Sequence, residues 1–140
     1  MNTRFAVATH ILTLLASFRG EALTSEFIAG SVQTNPVVIR RILGRLREAG
    51  LVAAMQGPGG GFVLTVEPND LTLRQIYETV AERELIAVHD APNPQCPVGK
   101  NIGSLLEGVV SKAERAMLES LADVTVGTLM RKVAKCEKAS

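Results

Sequence analysis

The sequence predicts a mainly α-helical chain carrying one small β-hairpin, an α+β fold. Apolar residues recur at three- and four-residue intervals over most of the 140 positions, which points to amphipathic helices. A cluster of glycines, "GPGGGF" at 57–62, stands between two short runs of strand-forming residues and marks the hairpin. With 46% hydrophobic and 21% charged residues the chain can bury a core, and its length fits one compact domain, or one domain with an appended element.

The elements follow in order. Phe5, Ala8, Ile11, Leu12, Leu15 and Phe18 keep helical spacing, and Gly20 supplies a stop. Thr24 or Ser25 offers an N-cap to a short second helix, "SEFIAGSV", with Gln33 and Thr34 as the turn after it. "NPVVIRRILGRLREAG" gives the strongest helix signal, with Asn35 as N-cap, Pro36 at the first helical position and Gly50 as the stop. Ile39, Ile42, Leu43 and Leu46 form its buried stripe; Val37, Arg40, Arg41, Gly44 and Arg47 or Glu48 fall on the opposite face. "LVAAM" and "FVLTV" read as strands, and another helix starts near Thr72 in "LTLRQIYETVAE". "VHDAPNPQCPVGKN" reads as a loop. Ile102, Leu105, Leu106, Val109, Ala113, Met117, Leu121 and Val124 then predict a helix of roughly 22 residues, about 33 Å long. A last short helix is expected over 128–135.

The glycines decide between two chemistries. A dinucleotide fingerprint needs GxGxxG between a strand and a helix, whereas here Phe62 holds the sixth position and strand formers follow it. A hairpin tip with positive φ and close backbone approach explains them better. Two short helices joined by a tight turn, the second cationic, followed at once by a hairpin, is the order of a winged helix-turn-helix. In that arrangement the second helix enters the major groove and the hairpin, or wing, reaches the backbone or the minor groove.

Net charge is +1, but unevenly distributed. Before position 67 six arginines face three glutamates, a net of +3; residues 67–100 net −3 and the remainder +1. The placement of the arginines carries more weight than the total. No run of about 18 apolar residues and no secretory leader pattern is present, so a cytoplasmic chain without membrane contact is expected. Cys96 and Cys136 lack CxxC or His-rich company, so neither a disulfide scaffold nor a zinc site is indicated. His10 and His89 have no second ligand at metal spacing, and no metal site is expected.

"LREAGLV", "GPGGGFVL" and "DLTLRQIYETV" together resemble the Rrf-two family of bacterial winged-helix transcription regulators over nearly the whole chain. The resemblance implies a homodimer whose long C-terminal helices cross, binding a palindromic double-stranded DNA operator. It also implies that the amino-terminal segment, with Thr3 and Arg4, meets the DNA backbone. Three departures bear on the detail. Arg40-Arg41 stands where the family often has Glu-Gln, so the base sequence read differs. Gln56 stands where an arginine commonly precedes the wing. Cys96 stands alone where cluster-binding members carry three cysteines and a nearby histidine, so no iron–sulfur cofactor is expected.

The resulting expectation is a winged helix-turn-helix domain over 1–83, a linker and sensor loop over 84–100, and a dimerisation helix with a C-terminal helix over 101–140. Its DNA-contacting candidates are Thr3, Arg4, Ser25, Asn35, Val37, Arg40, Arg41, Gln56, Gly57, Gly59 and Gly60. Arg40 suits a guanine edge, Arg41 a base or phosphate, and Asn35 caps its helix and stands where it can meet a phosphate. Ile102, Leu105, Leu106, Val109, Ala113, Met117 and Leu121 are the interface candidates, because a 66-residue basic unit has limited surface to cover that stripe. Cys96 is the candidate redox sensor: a helix starting at Pro97 would place its thiol at the positive helix end and lower its pKa. The effector, oxidant or small molecule, is not encoded in any recognisable motif. The overall expectation is a DNA-binding regulator, a repressor rather than an enzyme. A protein-docking winged helix is the alternative, and a thiol enzyme lacks a base at catalytic spacing from Cys96.

Overall fold

A computed structural model of the chain describes residues 3–82, 86–90 and 92–139. The expected domain boundary at 83/84 lies outside the described residues. The element order is α1 (Arg4–Ser17), α2 (Ser25–Val32), α3 (Pro36–Glu48), β1 (Val52–Met55), β2 (Gly61–Leu64), a 3-10 turn (Pro68–Asp70), α4 (Leu73–Val80), α5 (Pro97–Leu121) and α6 (Val126–Ala139).

Helix α1 buries Ala8, Ile11, Leu12, Leu15 and Ala16 on one side. Its three hydroxyls do not oppose this, because Thr9, Thr13 and Ser17 donate to the carbonyls of Phe5, Thr9 and Thr13 at 2.8, 2.7 and 2.9 Å. Helix α2 begins at a Thr24 cap, whose Oγ1 accepts from the Phe27 amide at 3.1 Å, and ends on Gln33 at φ 60°. Helix α3 closes in a Schellman arrangement: the Leu51 amide donates to Leu46 O at 2.9 Å and the Gly50 amide to Arg47 O at 3.0 Å. Leu51 and Leu46 are both buried, so the cap also seals the core.

β1 and β2 pair antiparallel in the register Val52↔Leu64 to Met55↔Gly61. Leu23, in the α1–α2 connection, joins them by exchanging hydrogen bonds with Phe62 at 3.0 and 2.8 Å. The hairpin is thereby tied to the start of α2. Helix α4 opens on a capping box, in which Thr72 Oγ1 accepts from the Gln75 amide and Gln75 Oε1 from the Thr72 amide.

The core collects Ile11, Leu12 and Leu15 of α1, Ile28 of α2, Ile39, Ile42, Leu43 and Leu46 of α3, and Ile76 and Val80 of α4. Val126 completes it, for α6 returns to pack on α1, and Thr125 pairs with Thr72 on the way. The expected last helix is therefore longer than 128–135. Thr125 Oγ1 accepts from the Thr128 amide at 3.1 Å and starts it two residues earlier.

The long helix also begins earlier than its apolar stripe indicated. Pro97 takes the first position, where a missing amide costs nothing, so "PVGKN" is helix rather than loop. The helix ends at Leu121; Val124, expected inside it, lies beyond the end and accepts from the Leu73 amide at 2.9 Å.

Candidate nucleic-acid interface

The outer side of α3 is set by its own periodicity. With Ile39, Ile42, Leu43 and Leu46 buried inward, Val37, Arg40, Arg41 and Gly44 are exposed, and Val37 keeps 51% of its surface. Nothing lies within 4 Å of where a Gly44 side chain would begin, so the middle of this face is bare. The Asn35 carboxamide accepts from the Val37 amide at 2.8 Å, leaving its exposed end at the mouth of the helix.

After α3 the chain enters the wing, whose first strand packs on that helix. Gly57 to Gly60 form a type II turn closed by the Gly60 amide on Gly57 O at 2.9 Å, with Pro58 second and Gly59 third at φ +75°. Gln56, Gly57 and Gly59 are exposed, and Gly60 is half-buried against Met55 and Gly57 carbonyls. A side chain on Gly61 would start 2.5 Å from Leu23 O, so the glycine lets the wing strand lie against the start of α2.

Two candidates make side-chain contacts within the fold. Arg4 pairs with Glu82 at 2.5 Å, and the same carboxylate pairs with Arg45, whose guanidinium also donates to Val80 O at 3.3 Å. Glu82 thus ties α1 and α3 to the end of α4. Ser25 is buried, with its hydroxyl donating to Glu26 Oε2 at 3.2 Å, while the cap role falls to Thr24. Thr3 is exposed at the start of α1 and makes no side-chain cap. The pattern reading missed one neighbour of the interface: Glu26 Oε1 lies 3.9 Å from the Arg40 guanidinium. No spacing rule links positions on two helices, so only the fold brings them together.

Cys96 is the N-cap residue of α5, exposed, with its amide donating to Asn93 O at 3.2 Å. The amides of Gly99 and then Val98 stabilise its thiolate and hold its pKa below the usual thiol range. On α5, Leu105 and Val109 remain 65% and 66% exposed, and no residue of the helix is buried. Between α1 and α6 lies an open, mainly apolar groove of about 720 Å³ that includes Leu14, Leu129 and Val133. His10 Nε2 sits at its edge, 2.9 Å from Ser31 Oγ on α2. Among the described residues, no helix is long and apolar enough to cross a membrane.

Comparison with known proteins gives a consistent answer. The family profile described as "Rrf2: Iron-dependent Transcriptional regulator" matches residues 1–132. A Bacillus subtilis protein named as an HTH-type transcriptional regulator, YwnA, is 41% identical over 131 residues, covering 93% of this chain and 96% of its own. A crystal structure described as a DNA-binding protein superimposes at a TM-score of 0.74 with 37% identity, covering 91% of this chain and 98% of that one. A transcriptional regulator from Lactobacillus plantarum superimposes at 0.82 with 26% identity, covering 96% and 91%. The family description names iron, which needs a convergent set of ligands. Among the described residues no three His, Cys, Asp or Glu converge as ligands, and Cys96 is the one thiol at the α4–α5 connection, so this ligand set does not fit an iron centre.

Proposed function

Since the chain belongs to the Rrf2 (Rrf-two) family, whose members are DNA-binding winged-helix transcription regulators, we propose that it acts as a homodimeric repressor on a palindromic operator. The observation that carries this reading is the exposed cationic face of α3, formed by Val37, Arg40, Arg41 and Gly44, with the Glu26 carboxylate beside it. Arg40 reads a guanine edge, Arg41 a base or phosphate, and Asn35 a phosphate at the helix mouth. Gln56, Gly57, Gly59 and Gly60 bring wing backbone to the neighbouring groove, where the absence of side chains permits close approach.

The dimer rests on α5. Ile102, Leu105, Leu106, Val109, Ala113, Met117 and Leu121 form a stripe that the subunit leaves without a buried member, and a second copy covers it. Two-fold pairing sets the two α3 helices about 34 Å apart, one turn of DNA, and this geometry is what a palindrome requires. Repression follows from occupancy of the promoter. Cys96 is the thiol through which an oxidant adjusts binding, supported by its exposure and lowered pKa at the start of the dimer helix.

Retention of genomic fragments from the chain's own promoter region tests the reading. The wild-type protein holds them with an affinity that falls as salt rises, with a logarithmic slope of about −0.9 per phosphate neutralised. Replacing Arg40 and Arg41 by alanine abolishes retention. Absence of salt-dependent retention is the outcome of a protein-docking module, and retention surviving the double replacement removes Arg40 and Arg41 from the interface; either result overturns the reading.

A further inference from the structure

Glu26 is an unexpected residue to find beside a DNA-reading face. It stands in the first turn of α2, where the unpaired amides of a helix start otherwise favour a phosphate, and a carboxylate there repels one. Yet the structure anchors it. The hydroxyl of buried Ser25 donates to Glu26 Oε2 at 3.2 Å, and Glu26 Oε1 faces the Arg40 guanidinium at 3.9 Å. The Glu26 carboxylate thus takes a hydrogen bond from its buried neighbour on α2 while its other oxygen faces α3.

We infer that Glu26 is a positioning residue for specificity: it orients the Arg40 guanidinium and keeps it from settling on phosphate. The inference rests on the proposal that Arg40 reads a base. An arginine carries five N–H donors in a rigid fork and binds phosphate as readily as a guanine edge. At 3.9 Å the Glu26 carboxylate takes no hydrogen bond from the fork, but its charge beside one nitrogen favours guanidinium orientations that keep that side toward α2. In the free chain both groups are exposed, so the pair adds little stability. Its effect appears in the complex, where water is displaced and the guanidinium must choose between acceptors. The same carboxylate weakens contact with any duplex, so Glu26 favours discrimination at the expense of general affinity.

The opposite signs of these two effects provide the test. Binding of Glu26→Gln, a replacement at an exposed position, is measured on a selected operator, on single-base variants of it and on random duplex. Discrimination at the base pair read by Arg40 falls roughly two- to fivefold, as expected for an exposed ion pair, while affinity for random duplex rises and its salt dependence steepens. Ser25→Ala lowers discrimination at the same base pair by a smaller factor, with thermal melting confirming the fold. In an Arg40→Ala background, Glu26→Gln has no further effect at that position. Unchanged discrimination in Glu26→Gln, or an equal change at every position, overturns the role of Glu26 while leaving Arg40 as a base reader. If Arg40→Ala itself leaves every base preference intact, the underlying reading of Arg40 fails, and this role fails with it.

Discussion

Gly61→Ala tests whether the wing is seated by a steric requirement. The added Cβ would start 2.5 Å from Leu23 O and 3.0 Å from the Thr24 amide nitrogen, both backbone atoms that cannot swing aside. The residue also has φ +151°, a conformation L side chains rarely adopt, which costs about 1–3 kcal/mol. Relieving the clash separates β2 from Leu23 and breaks the reciprocal bonds at 3.0 and 2.8 Å, each worth about 1 kcal/mol. The loss is therefore roughly 3–5 kcal/mol, and for a chain of this size a melting point lower by about 10–15 °C. Thermal unfolding by circular dichroism, at one protein concentration for both chains, measures it. Gly59→Ala is the internal comparison, since its φ is +75° but nothing lies within 4 Å, leaving only left-handed strain of about 1–2 kcal/mol. Equal melting of the two variants, or a Gly61→Ala chain within about 2 °C of wild type, would refute the steric account.

Three other outcomes follow from the same geometry. Gly44→Ala, in mid-helix with open space around it, raises stability by about 0.5–1 kcal/mol in urea unfolding, because alanine loses less entropy on entering a helix. Val126→Ala removes two methyl groups from a fully buried site and lowers stability by roughly 2 kcal/mol; unchanged stability would mean that α6 is not part of the core. Cys96, with its pKa lowered by the Gly99 and Val98 amides, carries more thiolate at neutral pH than an ordinary thiol. Its alkylation rate should level off as pH rises through a midpoint below that of a free cysteine in a peptide, and a midpoint at or above the free value would contradict the helix-start effect.

The legible parts of this molecule are those decided by neighbours in sequence. Asn35, Pro36 and Gly50 mark α3 because a cap, a missing amide and a positive φ are local demands, each satisfied within a few residues. The exposed face of α3 follows from periodicity once the apolar stripe is recognised. For the cap of α2, Thr24 and Ser25 were equally suited by chemistry, and only packing made Ser25 the buried one. Pro97 carried a helix-start signal, but the prolines and glycine around it obscured that signal. Arg4 was out of reach of any pattern, since its partner Glu82 lies 78 positions away and meets it through the packing of α1 against α4. Glu26 and Arg40 belong to the same class, being neighbours only after α2 and α3 pack at their turn.

The proposed regulator depends above all on α3 reading base edges through Arg40. Selecting bound duplexes from random DNA with wild-type and Arg40→Ala chains in parallel tests it most directly. Both chains are expected to select two half-sites centred about 34 Å apart, with preference at one base pair per half-site lost in the variant. Identical base preferences in the two selections would contradict it.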